Sequence, residues 1–170
     1  MFWKIEHFVR DFNKEHGPFE KVMDVGSRNI NGSVKDGLTG YREFIGVDMI
    51  EGKDVDIVLD AHDLDTLHYE NYFDLVTCCE TIEHDVNFWT TVRHIRSIVK
   101  PGGWMLFTAP SINFFRHDFP SDYYRFTTSA FTDFIFKDFE DVHVEEYFDA
   151  NDPCTQKPNN TILGYGRKPL

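Results

Sequence analysis

The period of the hydrophobic positions changes along the chain. Phe2, Ile5, Phe8, Val9 and Phe12 recur at the spacing of one helix face, with Lys4, Glu6, Arg10, Asp11 and Lys14 on the others. This pattern predicts an N-terminal helix over residues 1–16 that lies across a core as a cover and is stopped by Gly17-Pro18. Beyond it come short β-rich runs: Lys21 to Val25, Phe44 to Val47, Val55 to Leu59, Phe73 to Cys78 and Trp104 to Thr108. These read as parallel strands separated by helices. Between the last two, Phe88, Val92, Ile95 and Val99 keep helical spacing. Asp85 is placed to cap that helix, Arg93, Arg96 and Lys100 suit the negative end of its dipole, and Pro101-Gly102-Gly103 ends it. A further helix is predicted from about Thr128 to Lys137, with Phe131, Phe134 and Ile135 inward. Strands Val142 to Phe148 and Thr161 to Tyr165 follow, joined through the turn-forming segment Asn151 to Asn160 as an antiparallel pair. The alternation predicts a doubly wound α/β fold, with a mostly parallel seven-stranded sheet and an antiparallel C-terminal strand.

Composition narrows the picture. The 170 residues are 41% hydrophobic and 16% aromatic, with 17 Phe, enough for a real core in one domain spanning 1–170. There is no internal repeat or low-complexity tract. Lys and Arg total 17 against 29 Asp and Glu, a formal net charge of -12, which opposes binding to nucleic-acid backbones and anionic lipid and favours a small-molecule partner. The cysteines number three, and Cys78-Cys79 sit together in an apolar run, so reduced thiols and a cytoplasmic setting are expected. No apolar run approaches the roughly 20 residues needed to span a bilayer, and the N-terminus lacks the layout of a signal peptide. With no H-x-x-x-H or C-x-x-C among the eight His and the cysteines, no dedicated zinc site is expected. Oligomeric state is left open.

In such sheets ligands bind beyond the carboxyl ends of the strands. The first strand runs into Asp24-Val25-Gly26-Ser27-Arg28-Asn29-Ile30-Asn31-Gly32, and the second ends at Asp48, at the roughly 20-residue distance that suits a ribose-binding carboxylate. Arg28 and Asn31 stand where a dinucleotide fingerprint would need its second and third glycines, so pyrophosphate is disfavoured.

These stretches resemble the class I S-adenosylmethionine-dependent methyltransferases over essentially the whole chain. Val22-Met23-Asp24-Val25-Gly26-Ser27 is similar to that family's first motif, Ile45-Gly46-Val47-Asp48 to its acidic second strand end, and Leu59-Asp60-Ala61-His62-Asp63-Leu64 to its adenine loop. Phe73-Asp74-Leu75-Val76 with Glu83-His84 resembles the fourth-strand motif, and Ile98-Val99-Lys100-Pro101-Gly102-Gly103 the helix-to-fifth-strand signature. The family's usual G-x-G is replaced by Gly26-Ser27-Arg28. The resemblance implies a Rossmann-like fold and S-adenosylmethionine as cofactor. It also implies Asp48 on the ribose hydroxyls, Gly26 and Ser27 beside the methionine moiety and Asp24 near its ammonium. Asp60 with Ala61 would read the adenine edge, and Met49 and Glu80 would complete the cofactor set.

A second cluster follows the fifth strand, from Phe114 to Thr127, and its His117-Asp118-Phe119-Pro120-Ser121-Asp122-Tyr123-Tyr124-Arg125 resembles a segment of small bacterial and phage methyltransferases. There His117 is the expected general base and His84 its alternate, Asp122 would orient the imidazole, and Arg125 and Tyr123 would bind the acceptor. The structural alternatives are an Asp122–Arg125 ion pair that merely holds the loop and a His84 that braces the next helix. The expected function is methyl transfer to an oxygen or nitrogen of a small molecule, a sugar or polysaccharide precursor among the candidates. A non-catalytic adenosine-binding module and a nicotinamide-dependent oxidoreductase are the rival readings.

Overall fold

The computed structural model describes residues 3–117, 121–149 and 159–170. Residues 151–158 of the turn expected over 151–160, Phe2 and the stretch 118–120 lie outside these residues, while 159 and 160 already belong to a strand. The strands are β1 (Lys21–Val25), β2 (Glu43–Asp48), β3 (Ile57–Val58), β4 (Phe73–Cys79), β5 (Val99–Pro110), β6 (Glu140–Asp149) and β7 (Asn159–Arg167). They form one sheet in the order β3-β2-β1-β4-β5-β7-β6. The first five run parallel, with Val22 opposite Leu75 and Asp24 opposite Thr77. β7 lies antiparallel between β5 and β6, with Thr108 opposite Leu163. The chain steps outward from β1 through β2 to β3 and then returns to place β4 on the other side of β1, so the order reverses at the β1–β4 boundary. The peptides leaving these two strands diverge there, which opens a crevice at their carboxyl ends.

Period-2 alternation divides the core between the two faces of the sheet. Val22, Leu75, Leu106 and Leu163 pack on one side under Ile5, Val9 and Phe12 of helix α1 (Trp3–His16). The covering helix therefore forms as the sequence predicts. Met23, Val76, Met105 and Phe107 point to the other side, under Val92, Ile95 and Ile98 of helix α2 (Phe88–Ile98) and the aromatic residues Phe126, Phe131 and Phe136.

Several local expectations are corrected. The connections between β1, β2, β3 and β4 contain no α-helix. A single 3₁₀ turn, Val34–Asp36, follows β1, and a 3₁₀ stretch, Ala61–Leu67, follows β3. Glycine at positions 26, 32, 37 and 40 breaks the first connection, and Ser33 with Asp36 closes a capping box around one turn. β3 is two residues long instead of five. The helix expected at 128–137 begins as one α turn, α3 (Thr128–Ala130), and continues as a π-helix over Phe131–Ile135. The start of α2 is not capped by Asp85 in the N-cap position; Asp85 lies two residues earlier and accepts from the Asn87 N–H (2.8 Å) and the Thr91 hydroxyl (2.6 Å).

Nor do the basic residues of α2 serve its own end. Arg96 donates to the carbonyls of Ile135 and Lys137, and Lys100 pairs with Asp74. The α2 C-terminus is instead capped from the far end of the chain, where the Lys168 ammonium donates to the carbonyls of Arg96 (2.9 Å) and Val99 (2.7 Å) and to the Asn71 amide oxygen (2.9 Å). Cys78 is buried and Cys79 half-buried, both free thiols on β4. No helix among the described residues is long and apolar enough to cross a membrane.

Because three acceptors depend on one cation, Lys168→Met should destabilise the chain by about 2 kcal/mol in urea titration. Leu170→Ala, at a position 97% exposed, should leave the midpoint unchanged.

Candidate active site

A cavity of about 730 Å³ opens where the strand order reverses, walled by the segments leaving β1, β2 and β4, the start of the Ala61–Leu67 stretch and the loop after β5. Asp24, Gly26, Ser27, Asp48, Met49, Asp60, Ala61, Glu80, His84, His117 and Tyr123 all line it. Of the residues singled out in the sequence, Asp122 and Arg125 stand behind that wall.

Gly26 has φ +82°, and a Cβ built there would lie 2.0 Å from the Thr81 hydroxyl. Glycine is required by the left-handed backbone and by the close passage of the β4 exit. The turn it makes sends the Gly26 and Ser27 N–H groups to the Val47 carbonyl, which ties the β1 loop to β2. Asp48, at the tip of β2, accepts from the Arg28 N–H (3.2 Å) and the Ile50 N–H (2.9 Å), so its carboxylate is held in place at the cavity wall. Asp60 caps the 3₁₀ stretch by accepting from the His62 N–H (2.9 Å). Ile30, Met49, Ile50, Val86 and Tyr123 form a partly exposed apolar rim.

Deeper in, carboxyl groups are buried. Asp24 is 4% exposed and accepts from the Thr77 hydroxyl at 2.6 Å. Desolvation raises its pKa to about 7, opposed by that hydrogen bond. Glu80 follows β4 with φ +49°, a strained backbone for a residue with a Cβ. It accepts from the Thr108 hydroxyl through Oε1, while Oε2 is buried without a hydrogen-bond partner among the described residues. Three residues on, Glu83 is fully buried and neither of its oxygens has a hydrogen-bond partner among the described residues. Burial pushes the pKa of both glutamates up, and for Glu80 the neighbouring Glu83 charge adds to the shift.

The aromatic loop is built around an ion pair. Arg125 binds both carboxylate oxygens of Asp122 (2.5 and 2.6 Å) and gives its remaining donors to the carbonyls of Phe114, Phe115 and Tyr124. All of a guanidinium's five N–H groups are thereby used, so none is left for the acceptor that the sequence assigned to Arg125. The Arg125 hydrogen bonds hold the Asp122 carboxyl down at about 2. Asp122 accepts from the His117 backbone N–H at 2.8 Å, with the ring Nδ1 at 3.7 Å. It therefore fixes His117 through the main chain and does not grip the imidazole. The His84 ring stands 4.9 Å from the His117 ring, nearly perpendicular to it, and its Nδ1 donates to the Ser121 carbonyl.

Two groups of site residues were missed by sequence reading. Glu83 lies 3.5 Å from the Nε2 atoms of both His84 and His117. The adjacency Glu83-His84 was visible in the sequence, but the approach of His117 across more than thirty residues was not. His62 lines the cavity and pairs with Asp85 at 2.7 Å, bracing the 3₁₀ stretch against α2; no spacing in the sequence joins those two.

Residues 3–152 match the model of a methyltransferase domain. The chain belongs to that family. With it the chain joins the class I S-adenosylmethionine-dependent methyltransferases, and the nicotinamide alternative is set aside. A curated relative, the ubiquinone biosynthesis O-methyltransferase of Thiobacillus denitrificans, is 32% identical over 109 residues, covering 55% of this chain and 46% of that protein. Among solved structures, Haemonchus contortus phosphoethanolamine N-methyltransferase 2 in complex with S-adenosyl-L-methionine superposes with a TM-score of 0.66 at 16% identity. The match covers 99% of this chain and 53% of that one. Burkholderia thailandensis 1,6-didemethyltoxoflavin-N1-methyltransferase, with 1,6-didemethyltoxoflavin and S-adenosylhomocysteine bound, gives 0.66 at 16% identity, covering 99% and 81%. The chain thus spans about half the length of the first two.

The cavity fits the family's cofactor on its own chemistry. Three carboxyls, Asp24, Asp48 and Asp60, suit a sulfonium cation with an ammonium and ribose hydroxyls. The Ser27 hydroxyl and Glu80 Oε2 are also buried polar atoms without hydrogen bonds among the described residues, in residues that line the same cavity.

The raised pKa of Asp24 has a measurable consequence. The folded chain keeps a proton on Asp24 up to about pH 7, whereas the unfolded chain releases it near 4. Stability of the ligand-free protein therefore falls as pH rises through this window. The penalty is complete above about pH 7 and absent below about pH 4. Asp24→Asn should raise the melting temperature at pH 8 by an amount corresponding to about 2–4 kcal/mol, and the gain should vanish by pH 4. A pH-independent difference in calorimetric scans would contradict this assignment.

Proposed function

We propose that the chain transfers the methyl group of S-adenosylmethionine to an oxygen or nitrogen of a small molecule. The reading is carried by one observation: a single cavity has the carboxyl groups of Asp24, Asp48 and Asp60 on one side and the His84–His117 pair on the other. On this reading Asp48 takes the ribose hydroxyls, Asp60 and Ala61 meet the adenine, and Asp24 faces the amino-acid end with Gly26 and Ser27. The cofactor supplies an electrophilic methyl group, so the chain must place an acceptor in line with it and, where the acceptor carries a proton, take up that proton.

His117 and His84 are the residues proposed for the acceptor side. His84 commits its Nδ1 proton to Ser121, and in the neutral ring this leaves the Nε2 lone pair for other partners. His117 is held by Asp122, which Arg125 clamps in turn, so these two act as positioning residues. Tyr123, half exposed at the rim, is the residue proposed to contact the acceptor. The name of the curated relative favours oxygen, while two structural neighbours bear the names of N-methyltransferases. A net charge of -12 favours small acceptors over nucleic acid.

Calorimetric titration should give a 1:1 complex with S-adenosylmethionine and none with NAD. Asp48→Ala should weaken the former about a hundredfold, or roughly 3 kcal/mol, by removing hydrogen bonds between a charged acceptor and the ribose. Undiminished affinity in a folded Asp48→Ala variant would refute the ribose assignment, and tight NAD binding would refute the whole reading.

A further inference from the structure

We infer that Glu83, His84 and His117 form a binding site for a first-row divalent metal ion at the acceptor end of the cavity. No ligand spacing in the sequence announces it. The fold alone assembles it, from the exit of β4 and the loop after β5. One ligand atom from each of the three residues can be drawn within 4.8 Å of the others. The separations from Glu83 Oε1 to the two Nε2 atoms are both 3.5 Å. Tetrahedral coordination with bonds of about 2.0–2.1 Å places neighbouring ligand atoms ~3.3 Å apart, so two of the three separations are already close to that geometry.

The protonation pattern points the same way. A carbonyl oxygen can only accept, so the hydrogen bond to Ser121 is made by an Nδ1–H of His84, and in the neutral ring the lone pair is then on Nε2. His117 turns its Nδ1 side toward the Phe115 carbonyl (3.4 Å) and the Asp122 carboxylate, which leaves its Nε2 facing Glu83. A ring whose other nitrogen is tied to a carbonyl or carboxylate is the usual setting of a metal-binding histidine. Glu83 brings an independent observation: its side chain is 0% exposed and neither oxygen has a hydrogen-bond partner among the described residues. An imidazolium–carboxylate pair would close to about 2.8 Å; at 3.5 Å neither histidine makes that bond. A buried carboxyl oxygen and two ring nitrogens held just apart leave space for a cation.

The support is rigid. The Glu83 carbonyl accepts from the Tyr123 and Tyr124 N–H groups, and the Asp122–Arg125 clamp fixes the main chain of His117. Two nitrogens and one carboxylate suit zinc or manganese and leave coordination positions open. His84 and His117 both line the cavity, so the open positions face the acceptor. This rests on the methyltransferase reading and sharpens it. The acceptor would be an oxygen ligand whose hydroxyl, acidified by the ion, releases its proton to solvent before the methyl group is transferred, and His117 would serve as a ligand instead of a base.

Chelator-treated, buffer-exchanged full-length protein should be titrated with Co²⁺ by visible absorption and with Mn²⁺ by electron paramagnetic resonance, with S-adenosylmethionine calorimetry on the same preparation. One saturable equivalent of ion is expected, with about a hundredfold or greater weakening in Glu83→Gln and His117→Ala, since each removes one of three ligands. Glu83 is in the core and its variant is exposed to misfolding, whereas His117 is on a loop, so His117→Ala keeps the test decisive. Absence of saturable Co²⁺ binding in the parent, or unchanged affinity in folded His117→Ala, overturns the site. If S-adenosylmethionine binds and cobalt does not, the ion site falls and the proposed function stands. If cobalt binds and S-adenosylmethionine does not, the proposed function falls and the ion site survives.

Discussion

Burial of acid at the carboxyl edge of the sheet is the constraint around which the rest of this molecule is arranged. Asp24 ends its course in β1 and Glu80 and Glu83 follow β4, the two strands between which the chain order reverses. A carboxylate removed from water costs several kcal/mol unless it is protonated, hydrogen-bonded or met by a cation. Asp24 has one hydroxyl partner, and Glu83 has no hydrogen bond among the described residues. Such a site is under-compensated when empty and favours positively charged ligands, which matches a sulfonium cofactor on one side and a divalent ion on the other.

That edge is carried by an economical frame. The crossovers on the β1–β2–β3 side are reduced to loops and 3₁₀ turns, so backbone hydrogen bonds and close contacts do the work that helices perform elsewhere in α/β folds. Gly26 and Ser27 bond to Val47, Leu59 bonds to Asp48, and Asp56 bonds to Gly46. The single long crossover helix, α2, is secured by residues distant in sequence. Asp85 and His62 hold its start, while Lys168 on the last described segment donates to its terminal carbonyls. One face of the sheet is closed by α1 and the other by α2 with an aromatic group from the segment after the loop.

The loop after β5 shows how a charged pair can serve precision without touching a ligand. Arg125 gives every donor to Asp122 and to three carbonyls of its own loop. A bidentate guanidinium–carboxylate bond fixes orientation as well as distance. The beneficiary is His117, whose backbone N–H is held by the clamped carboxylate and whose ring is thereby presented to His84 and Glu83.

The sequence by itself determined the order of the strands, the covering helix and the residues at the strand ends. Each of these depends on local periodicity or on a spacing within one strand–loop unit. Apolar alternation marks a strand whatever its neighbours, and Asp48 stands at the end of β2 because that strand ends there. The two-residue β3 and the π-helical turn at Phe131–Ile135 were not legible, because sheet pairing and core packing overrule propensity in short segments. The functions of Asp122 and Arg125 also had to wait for coordinates: at a spacing of three residues the pair reads equally well as an acceptor grip or a loop clamp, and only the full use of Arg125's donors decides. Tertiary structure alone brought Glu83 against His117, since contacts between the exits of β4 and β5 depend on the parallel register of two strands separated by a helix. No one-dimensional spacing encodes that distance.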